Sequence, residues 1–137
     1  MILVDTGPLI ALFDPRDDAH DACYAYLQTV REPLVTTTPV LTEAFHILDP
    51  ASRGADNLRA FVRGEGLTVW LLDSTALTRA FELMEKYRDH PMDLADASII
   101  AGAEALGTRT VFTLDRADFS VYRARRGHRR LPVITVP

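Results

Sequence analysis

The chain has 137 residues, of which 47% are hydrophobic and 25% charged, and its net charge is −4. This length and composition predict one globular domain over residues 1–137 and exclude an intrinsically disordered chain. The single cysteine, Cys23, excludes an intramolecular disulfide and fits a reducing compartment. The apolar start is interrupted by Asp5 and follows no basic segment, and no apolar run is long enough for a bilayer. We therefore expect a cytoplasmic protein.

Short β-type runs alternate with helical patterns along the chain. The predicted strands cover residues 1–4, 34–36, 67–72, 110–114 and 133–136. The first predicted helix has Pro8 at its first position, and the second begins near the acids Asp17, Asp18 and Asp21. The later helices are expected after a Thr38 cap, over about 55–63, after Asp73-Ser74 as far as residue 86, and from about 93 to a stop at Gly107. This alternation predicts an α/β domain with a mainly parallel central sheet.

Four carboxylates are expected to meet at one end of that sheet. Asp5 and Asp115 follow apolar runs, so both stand at the carboxyl ends of strands, where open parallel sheets bind ligands. Glu43 lies one turn into the helix after residues 34–36, and Asp96 lies in the first turn of the helix before residues 110–114. Clustered carboxylates repel one another unless a cation joins them, and all-oxygen ligation suits Mg²⁺ or Mn²⁺.

Each acid also has an ordinary structural explanation. Asp5 and Asp96 fit the role of acids at the start of a helix, where they cap it or complement its dipole. Asp115 fits a turn after a strand, and Glu43 fits a solvated helix surface. Only the expected placement of all four at one sheet edge favours a functional site.

The chain resembles the PIN-domain nucleases, and more narrowly the VapC-type toxins of bacterial and archaeal toxin–antitoxin pairs. The resemblance covers nearly the whole chain and rests on four segments in order: residues 2–12 (ILVDTGPLIAL), 40–44 (VLTEA), 93–101 (DLADASIIA) and 113–119 (TLDRADF). It implies an α/β/α sandwich, cleavage of RNA with Mg²⁺ or Mn²⁺, a homodimer and a cognate antitoxin partner. A divalent ion would activate water for attack on a backbone phosphorus, leaving 5′-phosphate and 3′-hydroxyl ends.

The resemblance also assigns residues. It places Asp5, Glu43, Asp96 and Asp115 at the four catalytic acids of the family, with Asp5, Asp96 and Asp115 as the metal ligands. Asp93 lies three residues before Asp96, and Asp118 lies three residues after Asp115, so both are candidate auxiliary groups. Thr6 and Thr113 resemble hydroxyl positions that hold the carboxylates or a water on the metal. The four histidines share no spacing, so we expect them to be structural or solvated.

Arginines are concentrated near the end of the chain. Seven of the fourteen fall between Arg109 and Arg130, and we predicted that Arg116, Arg123, Arg125 and Arg126 bind RNA phosphates beside the acids. The alternative is a solvated loop in a chain that uses arginine almost to the exclusion of lysine, Lys86 being the only lysine. The net charge of −4 by itself argues weakly against a nucleic-acid partner.

Other functions fit the sequence less well. A receiver-like phosphotransfer domain needs a lysine at a late strand end, and a haloacid-dehalogenase-type phosphatase needs a second aspartate at position 7, where this chain has Gly7. Two alternatives remain open within the resemblance: a housekeeping PIN-domain nuclease that processes RNA, and a catalytically silent PIN fold that serves as a binding module.

Overall fold

The structure is a computed structural model that describes all 137 residues. Its centre is a five-stranded sheet in the order β3-β2-β1-β4-β7, in which every neighbouring pair is parallel. The strands are β1 (Ile2–Val4), β2 (Leu34–Thr37), β3 (Thr68–Trp70), β4 (Thr110–Phe112) and β7 (Ile134–Val136). The expected α/β fold with a parallel sheet is confirmed.

Seven helices connect and flank these strands. They are α1 (Thr6–Phe13), α2 (His20–Thr29), α3 (Thr38–Ile47), α4 (Arg53–Arg63), α5 (Ser74–Lys86), α6 (Leu94–Leu106) and α7 (Arg116–Val121). The predicted Asp73 cap and the stop at Gly107 are confirmed, since Asp73 accepts a hydrogen bond from the Ala76 amide and Gly107 adopts a left-handed φ of 70°. None of the helices is long and apolar enough to span a bilayer.

Two predicted helix starts are wrong by one or two residues. Thr37, and not Thr38, is the cap of α3, because its hydroxyl accepts the hydrogen bond from the Val40 amide. Helix α1 begins at Thr6, so Pro8 is its third residue, which is still a position whose amide has no partner within the helix.

The arginine-rich segment is more ordered than the sequence indicated. After α7 the chain forms an antiparallel hairpin of β5 (Arg123–Arg126) and β6 (Arg129–Pro132), separate from the main sheet. The segment shows no apolar alternation that would signal strands, and only Ala124 is buried within it. The hairpin packs against the buried helix α6 instead.

The strand order creates a switch point beside β1. The chain proceeds from β1 through β2 to β3 on one side, and then places β4 and β7 on the other side. Connections therefore leave the carboxyl ends of β1 and β4 in opposite directions, which opens a cleft at that edge. The residues that follow β1 and β4, together with the start of α6, border this cleft.

The contact between α1 and α4 leaves no room for a side chain at Gly54. A Cβ atom there would lie 2.3 Å from the backbone oxygen of Phe13, whereas one at Gly7 would make only ordinary contacts with Leu114 at 3.4 Å or more. Both glycines are the second residue of a helix. We expect Gly54→Ala to lower the free energy of unfolding by about 1–3 kcal/mol, as overpacking typically does. Urea denaturation measures the change, and equal stability of Gly54→Ala and the control Gly7→Ala would contradict it.

Candidate active site

A pocket of about 430 Å³ lies at the cleft between β1 and β4 and is lined mainly by acids. All four predicted catalytic carboxylates and both predicted auxiliary aspartates belong to its wall, as does Asp17. The acidic lining residues are Asp5, Asp17, Glu43, Asp93, Asp96, Asp115 and Asp118. The structure thus brings together side chains from the ends of two strands and the starts of three helices.

Asp5 is the most deeply buried of these acids, with 5% of its surface exposed. Its amide donates to the Phe112 carbonyl at 2.9 Å, which extends the pairing of β1 with β4 to the pocket floor. Its Oδ2 accepts a hydrogen bond from the Thr113 hydroxyl at 2.8 Å, and that hydroxyl in turn accepts from the Asp115 amide at 3.0 Å. Asp5 makes no capping hydrogen bond to α1, so the capping explanation for this residue is wrong.

Burial makes the Asp5 carboxylate hard to ionise. The pKa of Asp5 is raised to about 6, chiefly by burial and to a lesser extent by the negative charges of Asp115 and Glu43, against the opposing effect of the Thr6 amide and the Thr113 hydroxyl. Next to Asp5, the Thr6 hydroxyl is buried and has no hydrogen-bond partner within the protein. Because buried polar groups are nearly always satisfied, this hydroxyl requires a partner that is not part of the chain.

The structure distinguishes Asp96 from Asp93. Asp93 is exposed and caps α6, with its Oδ1 accepting from the Asp96 amide at 2.8 Å. The Asp96 side chain is half-buried, and the pKa of Asp96 is raised to about 8, chiefly by burial and in addition by the charges of Asp93, Asp5 and Asp115. Asp96 therefore shares its electrostatic environment with Asp5 and Asp115, whereas Asp93 has a structural task.

Asp115 and Glu43 complete the pocket from its two sides. Asp115 is exposed at the start of α7 and, like Asp5, makes no capping hydrogen bond with its side chain. Glu43 is half-buried on α3 and also lines a neighbouring groove together with Asp93. Ile10, Ile47 and Leu114 form the apolar part of the acidic pocket's wall.

Sequence reasoning missed three side chains beside the acids. The Tyr122 hydroxyl, on a fully buried ring, donates to Asp96 Oδ2 at 3.4 Å, and burial together with the charges of Asp96 and Asp118 raises the pKa of this hydroxyl. His90 Nε2 lies 2.9 Å from Asp118 Oδ1 and was expected to have no role near the acids. Asp17 precedes α2 instead of starting it and faces the pocket. A sequence motif offers no signal for contacts that depend on how α7 folds back onto α6.

The donor set fits a hard divalent cation. The pocket offers carboxylate and hydroxyl oxygens, a buried hydroxyl without a partner, and two carboxyls whose pKa values are raised by burial and, to a smaller extent, by neighbouring negative charge. No three His, Cys, Asp or Glu side chains stand close enough together to hold an ion by themselves. An open arrangement of this kind is compatible with Mg²⁺, which usually keeps several waters and binds through one or two carboxylates.

The four arginines predicted to bind RNA beside the acids are dispersed. Arg116 follows Asp115 directly, but its guanidinium donates to the Pro137 carbonyl. Arg123 donates to three carbonyls at the end of α7, at residues 120–122. Arg126 donates to the carbonyl of Gly107, and Arg125 lies beside Glu104. Glu104 is eight residues along α6 from Asp96, or about 12 Å at 1.5 Å per residue, so Arg125 and Arg126 are anchored toward the far end of α6 from Asp96, and their RNA-binding role stays a prediction.

Comparisons with known proteins agree with this architecture. The sequence model of the PIN domain family matches residues 2–124. Ribonuclease VapC26 of Mycobacterium tuberculosis is 30% identical over 132 residues, which cover 93% of this chain and 96% of that protein. Among solved structures, the M. tuberculosis toxin VapC20, which cleaves the sarcin–ricin loop, superposes with a TM-score of 0.79 at 20% identity over 86% of this chain and 92% of that one. A toxin–antitoxin complex from Klebsiella pneumoniae gives 0.68 at 19% identity over 88% and 92%.

The raised pKa values of Asp5 and Asp96 predict a pH-dependent stability. Both folded-state pKa values, about 6 and about 8, exceed the unfolded value of 3.8. These two carboxyl groups therefore stay protonated to a higher pH in the folded protein than in the unfolded chain. In the absence of divalent metal, stability should therefore fall as the pH rises from about 4 to about 8. At pH 8.5, Asp96→Asn should raise Tm by about 3–5 °C, the shift for roughly 1 kcal/mol in a domain of this size after allowing for solvent screening.

Differential scanning fluorimetry in EDTA from pH 5 to 8.5 measures this effect. The exposed Asp89→Asn removes the same charge outside the pocket and should leave the profile unchanged. A Tm that is independent of pH over this range in the unsubstituted protein would show that the acids do not destabilise the fold.

Proposed function

The chain belongs to the PIN-domain family, and on that premise we propose that it is an endoribonuclease that requires Mg²⁺ or Mn²⁺ and acts as the toxin of a toxin–antitoxin pair. One observation carries the proposal: buried and half-buried carboxylates from separate elements converge on one pocket, at a cost to their ionisation that a bound cation would relieve. A stable fold has no need of such an arrangement, since apolar residues would fill the same space more favourably.

The position of each side chain supports an assignment of roles. Asp5, Asp96 and Asp115 would hold the ion, directly or through its waters, and Glu43 would complete the acidic wall of the pocket. When bound, Mg²⁺ lowers the pKa of water and stabilises the negative charge that develops on a phosphoryl group. The Thr113 hydroxyl fixes the orientation of the Asp5 carboxylate, and the Thr6 hydroxyl is available to donate to a phosphate oxygen or a water in the pocket.

Neighbouring side chains shape the same reaction. Tyr122 donates to Asp96, which leaves the other carboxylate oxygen of Asp96 available to a ligand in the pocket. Ile10, Ile47 and Leu114 contribute apolar surface to the pocket wall next to these acids.

The partners and location belong to the same proposal. VapC26 is named as a ribonuclease, and a structural relative is solved as a toxin–antitoxin complex, which supports RNA as the substrate and an antitoxin as the partner of this chain. We further propose a homodimer, as the family resemblance implies, and a cytoplasmic location. A housekeeping nuclease would cleave RNA without arresting growth, and a silent binding module would not cleave RNA at all.

Replacing single acids tests the catalytic assignment. Asp5→Asn and Asp115→Asn should each lower Mg²⁺-dependent cleavage of ribosomal RNA by about 100-fold or more, because each removes a negative charge needed to hold the cation. Addition of EDTA should stop cleavage by the unsubstituted protein. Circular dichroism establishes that the variants fold, and the exposed Asp89→Asn serves as the control for a change of charge alone.

The same variants test the biological role in cells. Expression of the unsubstituted chain should arrest bacterial growth, expression of the adjacent antitoxin gene should rescue it, and Asp5→Asn should abolish the arrest. Full activity of both Asn variants would refute the metal site, and RNA cleavage without growth arrest would favour the housekeeping nuclease.

Thr113 should act as a positioning residue through Asp5. Thr113→Val removes the hydrogen bond to Asp5 Oδ2 while it preserves the buried shape, and it should lower kcat/KM by about 10-fold, the lower end for losing a group that orients a metal ligand. Thr113→Ser keeps the hydroxyl and should restore most of the activity. Titration with Mn²⁺ should show weaker binding for Thr113→Val. A Thr113→Val enzyme with unchanged Mn²⁺ affinity would exclude this role.

A further inference from the structure

The hairpin of β5 and β6 places like charges directly opposite one another. In its register Arg125 pairs with Arg130 and Arg126 pairs with Arg129, and a two-residue turn, Gly127-His128, joins the strands with Gly127 at a φ of 61°. All four arginines are exposed. Like charges at directly paired positions of an antiparallel ladder destabilise it, so the pairing itself does not explain these residues.

The arginines of this segment fall into two groups by their contacts. Arg123 and Arg126 donate their guanidinium groups to backbone carbonyls at the ends of α7 and α6, where a cation complements the helix dipole. In contrast, the guanidinium groups of Arg125, Arg129 and Arg130 make no hydrogen bond and no ion pair within the protein. The first two arginines therefore have a structural role, and these three are unpaired. The chain has 19 acidic residues, yet none of them neutralises these three.

Arg125 and Arg130 lie on one face of the hairpin, and Arg125 also lines a groove with Glu82 and Glu104. Side chains alternate along a strand, so Arg125 and Arg130 share the face opposite to Ala124, which is buried against the body of the domain. The backbone amide of Arg125 donates to Glu104 Oε2 at 2.7 Å, and Arg79 holds Glu104 through two bonds of 2.7 and 2.9 Å. The acids of the adjoining groove, Glu82 and Glu104, are thus already paired with Arg79.

We propose that the outward face of this hairpin, opposite to Ala124 and formed by Arg125 and Arg130, is a second RNA-binding surface that holds backbone phosphates away from the cleavage site. This inference rests on the proposed ribonuclease function. The Glu104 anchor lies on α6, about 12 Å from Asp96 along the helix, so the surface and the acids are fixed to one rigid element. The substrate therefore extends beyond the nucleotides at the pocket.

A polyanion of phosphates fits this face better than an acidic protein segment. Protein interfaces place aromatic or aliphatic side chains at their centre, but the residues paired at the outward face are arginines, with no large apolar side chain among residues 125–130. The paired strands present their guanidinium groups at a regular spacing, which matches the regular spacing of phosphates along RNA. Contacts to phosphates do not depend on RNA sequence. The charge of the face is also opposite to that of the acidic pocket, which would repel RNA by itself.

The double variant Arg125→Gln/Arg130→Gln tests the proposal in the full-length chain. Its affinity for a fluorescein-labelled 30-nucleotide oligouridylate should fall about 5- to 10-fold at low salt. The slope of log Kd against log salt should decrease by about 1.4, since each phosphate contact to a single strand contributes about 0.7. Because the variant removes repulsion, its Tm should be unchanged or higher, whereas a structural role for these arginines would lower it.

A matched control removes the same charge elsewhere. Arg31 and Arg63 are exposed, make no side-chain hydrogen bond or ion pair, and lie far from the hairpin in sequence, so Arg31→Gln/Arg63→Gln should bind the oligouridylate as the unsubstituted protein does. In cleavage of ribosomal RNA, the hairpin variant should raise KM with kcat unchanged, because the hairpin contributes equally to ground-state and transition-state binding.

The outcomes separate the two proposals. Absence of Mg²⁺-dependent cleavage by the unsubstituted protein would refute the nuclease and leave the oligouridylate binding as an independent measurement. Normal cleavage with equal affinity and salt slope in the hairpin and control variants would overturn the second RNA surface. If the hairpin variant keeps its RNA binding but loses binding of a 20-residue oligoglutamate, the second RNA surface is overturned in favour of a surface for an acidic protein segment.

Discussion

The pairing of β1 with β4 across the switch point of the sheet positions the rest of the site. It continues past the last paired strand residues through the Asp5 amide and the Phe112 carbonyl, and it ends in the contact of Thr113 with Asp5. Because both strands leave the sheet at this level, their next side chains face a cleft instead of the core. A carboxylate at such a position is buried by the backbone around it, and the fold can tolerate it only with a hydrogen-bond donor or a cation nearby.

Helix α6 connects this constraint to the remainder of the molecule. Its middle is buried on nearly every side, from Ala97 to Ala103, so it cannot shift without disturbing the core. The buried Ser98 hydroxyl bonds to Thr37 at 2.6 Å, which ties the helix to the end of β2. Asp96 at one end of this helix and Glu104 toward the other are consequently held at a fixed separation. Precise placement of charged groups on a rigid element reduces the entropy lost when an extended ligand binds.

The fold and the four acids could be predicted because their signals are local. Apolar runs, helix caps and the Gly107 stop depend on neighbours in sequence, and an aspartate directly after a parallel strand is at the sheet edge whatever surrounds it. The contacts of Tyr122 and His90 were missed because they arise only when α7 folds back beside the start of α6. The hairpin was missed for a different reason: its strands present arginines where apolar alternation would be expected, and burial of Ala124 against the domain replaces that signal.

Two unfavourable electrostatic interactions occur toward the two ends of α6, one among negatively charged groups and one among positively charged groups. At one end burial, together with neighbouring carboxylates, raises the pKa values of Asp5 and Asp96, and at the other end arginines pair with arginines. The chain could reduce both costs by placing these acids and bases together, as Arg79 and Glu104 do between them. Their separation means that each set is available to a partner of opposite charge: a cation for the acids and phosphates for the arginines. On the functions proposed above, a single RNA strand that carries its phosphates across both, with a divalent ion at the acidic end, would satisfy the two together, and a protein with a net charge of −4 would accommodate a polyanion.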